Sequence, residues 1–94
     1  MHVGILTLHI HLPGCKSLKE KRSRIKPLLA RLHKEFNVST AELDFQDTWQ
    51  DSVLGCAIIG SDSGQVQRSL QAISRWIESD WRDVSLVDDR IELI

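Results

Sequence analysis

The strongest constraint on what this chain can fold into is the strict alternation that runs from Val3 to Leu12, where Leu6, Leu8, Ile10 and Leu12 recur at every second position. Side chains two apart share a face only in an extended strand, so these four project to one side and Ile5, Thr7, His9 and His11 to the other. Pro13-Gly14 ends the strand. Ser17-Leu18-Lys19-Glu20 follows at once, with the spacing of a capping box that satisfies free amides at a helix start.

Beyond Ser17 the period changes. Leu18, Ile25, Leu29, Leu32 and Phe36 lie within a narrow arc at 100° per residue, giving a helix with one apolar stripe, and Asn37 is a suitable terminator. Pro27 removes a backbone donor and crowds the carbonyl four residues earlier, so a kink or break is expected near Lys26. Ala41, Leu43 and Phe45 then alternate with Glu42, Asp44 and Gln46, which predicts a half-exposed strand with an acidic polar face. Val53 to Gly60 is nearly all apolar and reads as a central strand, joined to the previous one through Thr48 to Ser52.

Asp62 and Gln65 repeat the capping logic, and Val66, Leu70, Ile73 and Ile77, flanked by Trp76, form a second helical stripe. Val84 to Ile94 suits a final strand in which Asp88-Asp89 bends the chain or marks a bulge. The order β-α-β-β-α-β predicts a ferredoxin-like α+β sandwich: a four-stranded antiparallel sheet with two helices on one face. Residues 1–94 are expected to form a single domain, for which the 94-residue length and 27% charged, 41% hydrophobic composition are suitable.

Charge is polarised along the chain. Of its twelve lysines and arginines, eight (Lys16, Lys19, Lys21, Arg22, Arg24, Lys26, Arg31 and Lys34) fall within the first helical region. None lies between Phe36 and Arg68, where Glu42, Asp44, Asp47, Asp51 and Asp62 accumulate. The net charge of -1 excludes a uniformly basic nucleic-acid binder, so any contact with nucleic acid must be local.

The place for it is Lys16 to Lys26. Cations at a helix start oppose the macrodipole and break a local preference. Lys16, Lys19, Lys21, Arg22, Arg24 and Lys26 are therefore the candidate anion- or RNA-binding residues. The competing reading is that Lys21 and Arg22 reach carboxylates such as Asp44 or Asp47 and lay their stems on the core.

Other candidates are weaker. His9 and His11 share a strand face about 7 Å apart, but no further ligands are evident, so no metal site is assigned. With Ile5 and Thr7 they form instead a candidate self-association face. Cys15, before a lysine-rich helix start, is a candidate reactive thiol without an evident base, whereas Cys56 belongs to the core. Trp76 and Trp81 are expected to pack. Trp49 is the better candidate for exposure, although it sits in an acidic connection that repels phosphate.

The first and third strands lack the aromatics that an RNA-recognition sheet uses to stack bases. No glycine-rich phosphate loop or nucleophile elbow occurs, so neither an enzyme nor a cofactor is expected. The two cysteines fit free thiols in a reducing cytoplasm, and no apolar run is long enough for a membrane span.

LPGCKSLKEKR, followed by FNVSTAELDFQDTWQ and VLGCAIIGSD at this spacing, resembles the YlxP-like family of small bacterial proteins of unknown function. The matching positions are Ser17, Leu18, Lys19, Lys21, Arg22, Phe36, Asn37, Val38, Ser39, Glu42 and Asp47. The resemblance implies a ferredoxin-like fold and no established catalytic residue. It also implies a ribosome-associated role, through the translation and ribosome-maturation genes that such proteins' genes accompany.

Overall fold

A computed structural model describes residues 1–94. Its elements are β1 (His2–His11), α1 (Leu18–Phe36), β2 (Ser39–Asp44), β3 (Asp51–Gly60), α2 (Ser63–Asp80) and β4 (Ser85–Leu93). The four strands form one antiparallel sheet in the order β2-β3-β1-β4, with both long strands central, which is the expected ferredoxin-like α+β arrangement.

The alternation in β1 sets the layers. Leu6, Leu8, Ile10 and Leu12 are fully buried beneath the helices, while Ile5, Thr7, His9 and His11 occupy the outer, helix-free face. Register carries this division to β3, where Cys56 and Leu54 lie opposite Leu6 and Leu8, and Ala57 and Val53 lie opposite Ile5 and His9. Ile59, expected in a uniformly buried strand, faces outward and is 64% exposed.

Both predicted caps form. Ser17 accepts a hydrogen bond from the Glu20 amide at 3.0 Å, and Asp62 accepts one from the Gln65 amide at 2.9 Å. Asn37 closes α1 in the left-handed conformation, with φ 52°. α1 continues through Pro27 without a break. Pro27 and Ser23, whose carbonyl loses its helical donor, both lie on the exposed side, where that carbonyl is open to solvent.

The buried stripe of α1 is Lys21, Ile25, Leu28 and Leu32, so the stripe is shifted from the apolar arc and one of its members is a lysine. Val66, Leu70, Ile73 and Ile77 bury the corresponding face of α2. Phe36, Trp76 and Trp81 stack with centroids 5.7 Å apart at each step, and the Arg31 guanidinium lies 5.8 Å from the Trp76 ring. These contacts pack the two helices against one another beside the core.

The edge strands are irregular. Register slips between Glu42 and Asp44 make Leu43 an extra residue of β2, and a second slip leaves Val87 extra in β4, beside the predicted Asp88-Asp89 irregularity. The register with β3 decides which way β2 faces. Glu42 lies opposite the buried Leu54 and turns toward the helices, Leu43 folds over Gly55 on the outer face, and the bulge brings Asp44 opposite the outward-facing Val53, so only Glu42 leaves the expected acidic exterior of this strand.

Candidate functional site

The six cations predicted at the start of α1 divide into two groups. Lys16, Lys19, Arg22 and Lys26 are exposed and make no intramolecular ion pair. Lys19, Arg22 and Lys26 stand at i, i+3 and i+7, so they form one ridge about 10 Å long on the side of α1 roughly opposite its buried stripe. Lys16 extends the ridge beyond the Ser17 cap.

Lys21 leaves the predicted set. Its side chain is 2% exposed, and its ammonium lies 3.0 Å from Glu42 Oε2, donates to the Thr48 carbonyl at 2.7 Å and donates to the Phe45 carbonyl. Two carbonyls and one carboxylate thus surround the ammonium, which is how a buried cation avoids an unpaired charge. Glu42 also accepts from the Ser52 hydroxyl at 2.5 Å. The expected alternative for Lys21, a structural pairing, is correct in kind but the partner is Glu42 rather than Asp44 or Asp47. Arg22 has no carboxylate partner.

Arg24 is also held within the fold. Its guanidinium donates to the Asp83 carboxylate at 2.9 Å, to the Asp83 carbonyl at 2.6 Å and to the Pro13 carbonyl at 3.0 Å. Its pKa is raised chiefly by the hydrogen bond to Asp83, with partial burial opposing the shift. Arg24 therefore ties the turns before α1 and after α2 together instead of facing a ligand.

The loop between β2 and β3 folds back onto the start of α1. The Leu12 amide donates to Gln50 O at 2.8 Å, Gln50 Nε2 donates to Cys15 O at 3.3 Å, and Lys21 holds Thr48 O. Phe45 adopts a left-handed φ of 61° in this loop, and its carbonyl accepts from both Lys21 and the Thr48 amide. Trp49, 51% exposed, lies between these anchors in the acidic loop, with Asp47 and Asp51 beside it. Sequence reasoning missed this placement because the anchoring bonds, Leu12 to Gln50 among them, span up to 38 residues.

On the outer face, His9 Nε2 and His11 Nδ1 lie 3.0 and 3.5 Å from the same oxygen of Asp51, and the His9 ring stands 5.5 Å from that of Phe45. The four predicted residues of this face are joined by Val53, Ala57, Ala41, Leu43 and Ile59. A shallow groove of about 320 Å³ over Gly55 is lined by Ile5, Ala41, Leu43 and Ala57.

Cys15 is completely buried, its thiol donating to Ser17 O at 3.5 Å, so the candidate reactive thiol is enclosed rather than accessible. Cys56 is buried as expected, and desolvation pushes its thiol up to about 12. No helix is long and apolar enough to cross a membrane.

Comparison with known proteins returns a family defined by sequence and a fold. A family model described as "Protein of unknown function (DUF503)" matches residues 3–91. The chain is 43% identical over 63 residues to "Uncharacterized protein YlxP" of Bacillus subtilis (strain 168), covering 67% of this chain and 68% of that protein. Among solved structures, "De novo designed protein Foldit4" aligns over 100% of this chain and 97% of its own with a TM-score of 0.54 and 14% identity, a likeness of fold alone.

Proposed function

We propose, taking as premise that the chain belongs to the DUF503 family of unknown function, that it is a non-enzymatic cytoplasmic accessory protein that docks on RNA phosphates, in the setting of the ribosome. The observation that carries this reading is the ridge of Lys16, Lys19, Arg22 and Lys26. These cations are exposed and lack carboxylate partners, although the chain as a whole is slightly acidic. A cation already paired within the fold gains little from a phosphate; an unpaired one releases counterions from RNA when it binds. The ribosomal setting rests on the gene company of YlxP-like proteins.

The test is ribosome co-sedimentation and filter binding to RNA with K19A/R22A/K26A. All three side chains are exposed, so the variant should fold. Wild-type affinity should fall with salt at a log–log slope of about -3 for four phosphate contacts, and the variant should bind at least tenfold more weakly with a shallower slope. Equal association by a folded variant rejects the reading.

A second reading, self-association through the outer face, is favoured by the exposure there of Leu43 (52%), Ile59 (64%) and Phe45 (38%). Four strands about 4.8 Å apart and some nine residues long present roughly 600 Å² in projection, near the ~800 Å² per partner of a stable interface. Bulges and charges on both edge strands disfavour edge-to-edge pairing and leave a face-to-face dimer. Sedimentation equilibrium decides it: a strict monomer at micromolar concentration removes this reading, while a dimer lost in L43D supports it. The ridge lies on the helical layer, so both surfaces can be used together.

A further inference from the structure

We propose that His9 and His11 make self-association of this chain pH-dependent, two copies pairing through their outer sheet faces more tightly in mildly acidic than in neutral solution. The proposal rests on the self-association reading and names the regulation of that surface. Histidine is the side chain whose charge ordinarily changes between about pH 5 and 8. Two of the four in this chain stand side by side on the outer face of β1, away from the basic ridge.

Carboxylates dominate what surrounds them. His9 Nε2 and His11 Nδ1 converge on one oxygen of Asp51 in β3. On the other side of β1, register sets Asp88 of β4 opposite His9 and Glu92 opposite Ile5. Asp44 of β2 lies opposite Val53, which itself lies opposite His9, so Asp44, Val53, His9 and Asp88 form one row across the sheet. From the loop after β2 it is the uncharged Phe45 that meets His9. The cation of this face is Arg90, opposite Thr7 and bound to Glu92 at 2.8 Å. Asp44 and Asp88 have no cationic partner. Both helices pack on the opposite side of the sheet, so none of their charged groups faces either imidazole.

A two-fold, face-to-face dimer sets this surface against its own copy, so a net charge on it repels itself. With both imidazoles neutral, the four carboxylates of Asp44, Asp51, Asp88 and Glu92 against the one guanidinium of Arg90 leave the face at -3; with both protonated it stands at -1. The local effect has the same sign. Closing the interface over Asp51 and Asp88 takes carboxylates out of water, which is costly without a cation beside them and less so with an imidazolium there. Protonation therefore favours the paired state, and by linkage pairing favours protonation. The apolar contacts of Ile5, Leu43, Ala57 and Ile59 do not titrate and act at either pH.

The experiment is sedimentation equilibrium at one ionic strength, at about pH 8 and about pH 5.5, using wild type, H9Q/H11Q, D88N and L43D. The histidines are half-buried and Asp88 is exposed, so these variants should fold, which far-UV circular dichroism at each pH checks. The wild-type dissociation constant should fall roughly tenfold or more on acidification, whereas that of H9Q/H11Q should change by less than about threefold. His2 and His33 remain in both proteins, so the difference isolates His9 and His11. D88N should dimerise more tightly than wild type at the higher pH, since an uncompensated carboxylate is gone. Equal wild-type constants at the two pH values overturn the switch and leave self-association standing. Weaker association in acid, full pH dependence in H9Q/H11Q, or a D88N dimer no tighter than wild type also overturns it. A wild type that is monomeric at both pH values, or a dimer that L43D leaves intact, removes the outer-face reading and the switch with it.

Discussion

Lys21 and Glu42 form an ion pair, 3.0 Å from Nζ to Oε2, at the point where α1 crosses the edge strand β2. The pair explains two departures from the expected pattern at once, a lysine in the buried stripe of a helix and a glutamate on the inner face of a strand. Replacing Lys21 by Met should leave the Glu42 carboxylate without its cation and the Thr48 carbonyl without a donor, while the Phe45 carbonyl keeps only the Thr48 amide. Because Glu42 keeps 22% of its side chain in solvent, the loss should be about 2–4 kcal/mol in urea unfolding, toward the lower end for a broken buried pair. Adding E42Q to K21M should restore part of it. A loss below ~1 kcal/mol would show that the pair is not a stability determinant.

Gly4 and Gly55 give a paired contrast. A Cβ on Gly4 would meet Val66 Cγ1 at 2.6 Å and Leu70 Cδ1 at 2.8 Å, both in the packed interface with α2. A Cβ on Gly55 would meet only Leu43, whose exposed side chain can swing into water. G4A should therefore cost about 1–3 kcal/mol through overpacking, and G55A should stay within about 0.5 kcal/mol of wild type. Unfolding midpoints of the two variants check this, and equal costs would contradict the packing argument.

Elements whose patterns are local were legible in the sequence. The β1 alternation, the Ser17 and Asp62 caps, the Asn37 terminator and the stripe of α2 each depend on residues within a few positions of one another. The orientation of β2 was not legible, because an apolar/polar alternation does not say which side faces the core when the register with β3 turns Glu42 inward and Lys21 compensates it from another element. One signal was present: Lys21, Ile25, Leu28 and Leu32 have the spacing of a single helical face. At the candidate site, exposed and consumed cations share the same residue types, and only tertiary partners separate Arg22 from Arg24. The position of Trp49 depends on bonds to Cys15 and Leu12 that no local pattern encodes.

Arg24 and Asp83 should be energetically coupled. Arg24 binds both the carboxylate and the carbonyl of Asp83 with only 17% of its side chain exposed, but Asp83 is 53% exposed and well screened. R24A should thus cost about 1 kcal/mol, and R24K should recover little of it because a lysine cannot reproduce the fork. A double-mutant cycle of R24A with D83A should return a coupling of about 0.5–1 kcal/mol. Additive costs would mean that the contact contributes nothing to stability.

The buried thiol of Cys56 should make the fold lose stability in alkali. Burial raises this thiol from 9.0 to about 12, so between those values the unfolded chain releases a proton that the folded chain retains. Fewer protons on the unfolded state means that unfolding becomes easier as pH rises, by up to about 1.4 kcal/mol per pH unit, with no contribution below the unfolded pKa. Other groups also titrate in this range, so the informative quantity is the difference between wild type and C56A. Their stability gap, measured by urea unfolding from pH 7 to 11, should be constant up to about pH 8.5. Above that it should shift steadily in favour of C56A. A gap that stays constant to pH 11 would mean that the Cys56 thiolate is tolerated in the folded sheet, contrary to its complete enclosure between β1 and the helices.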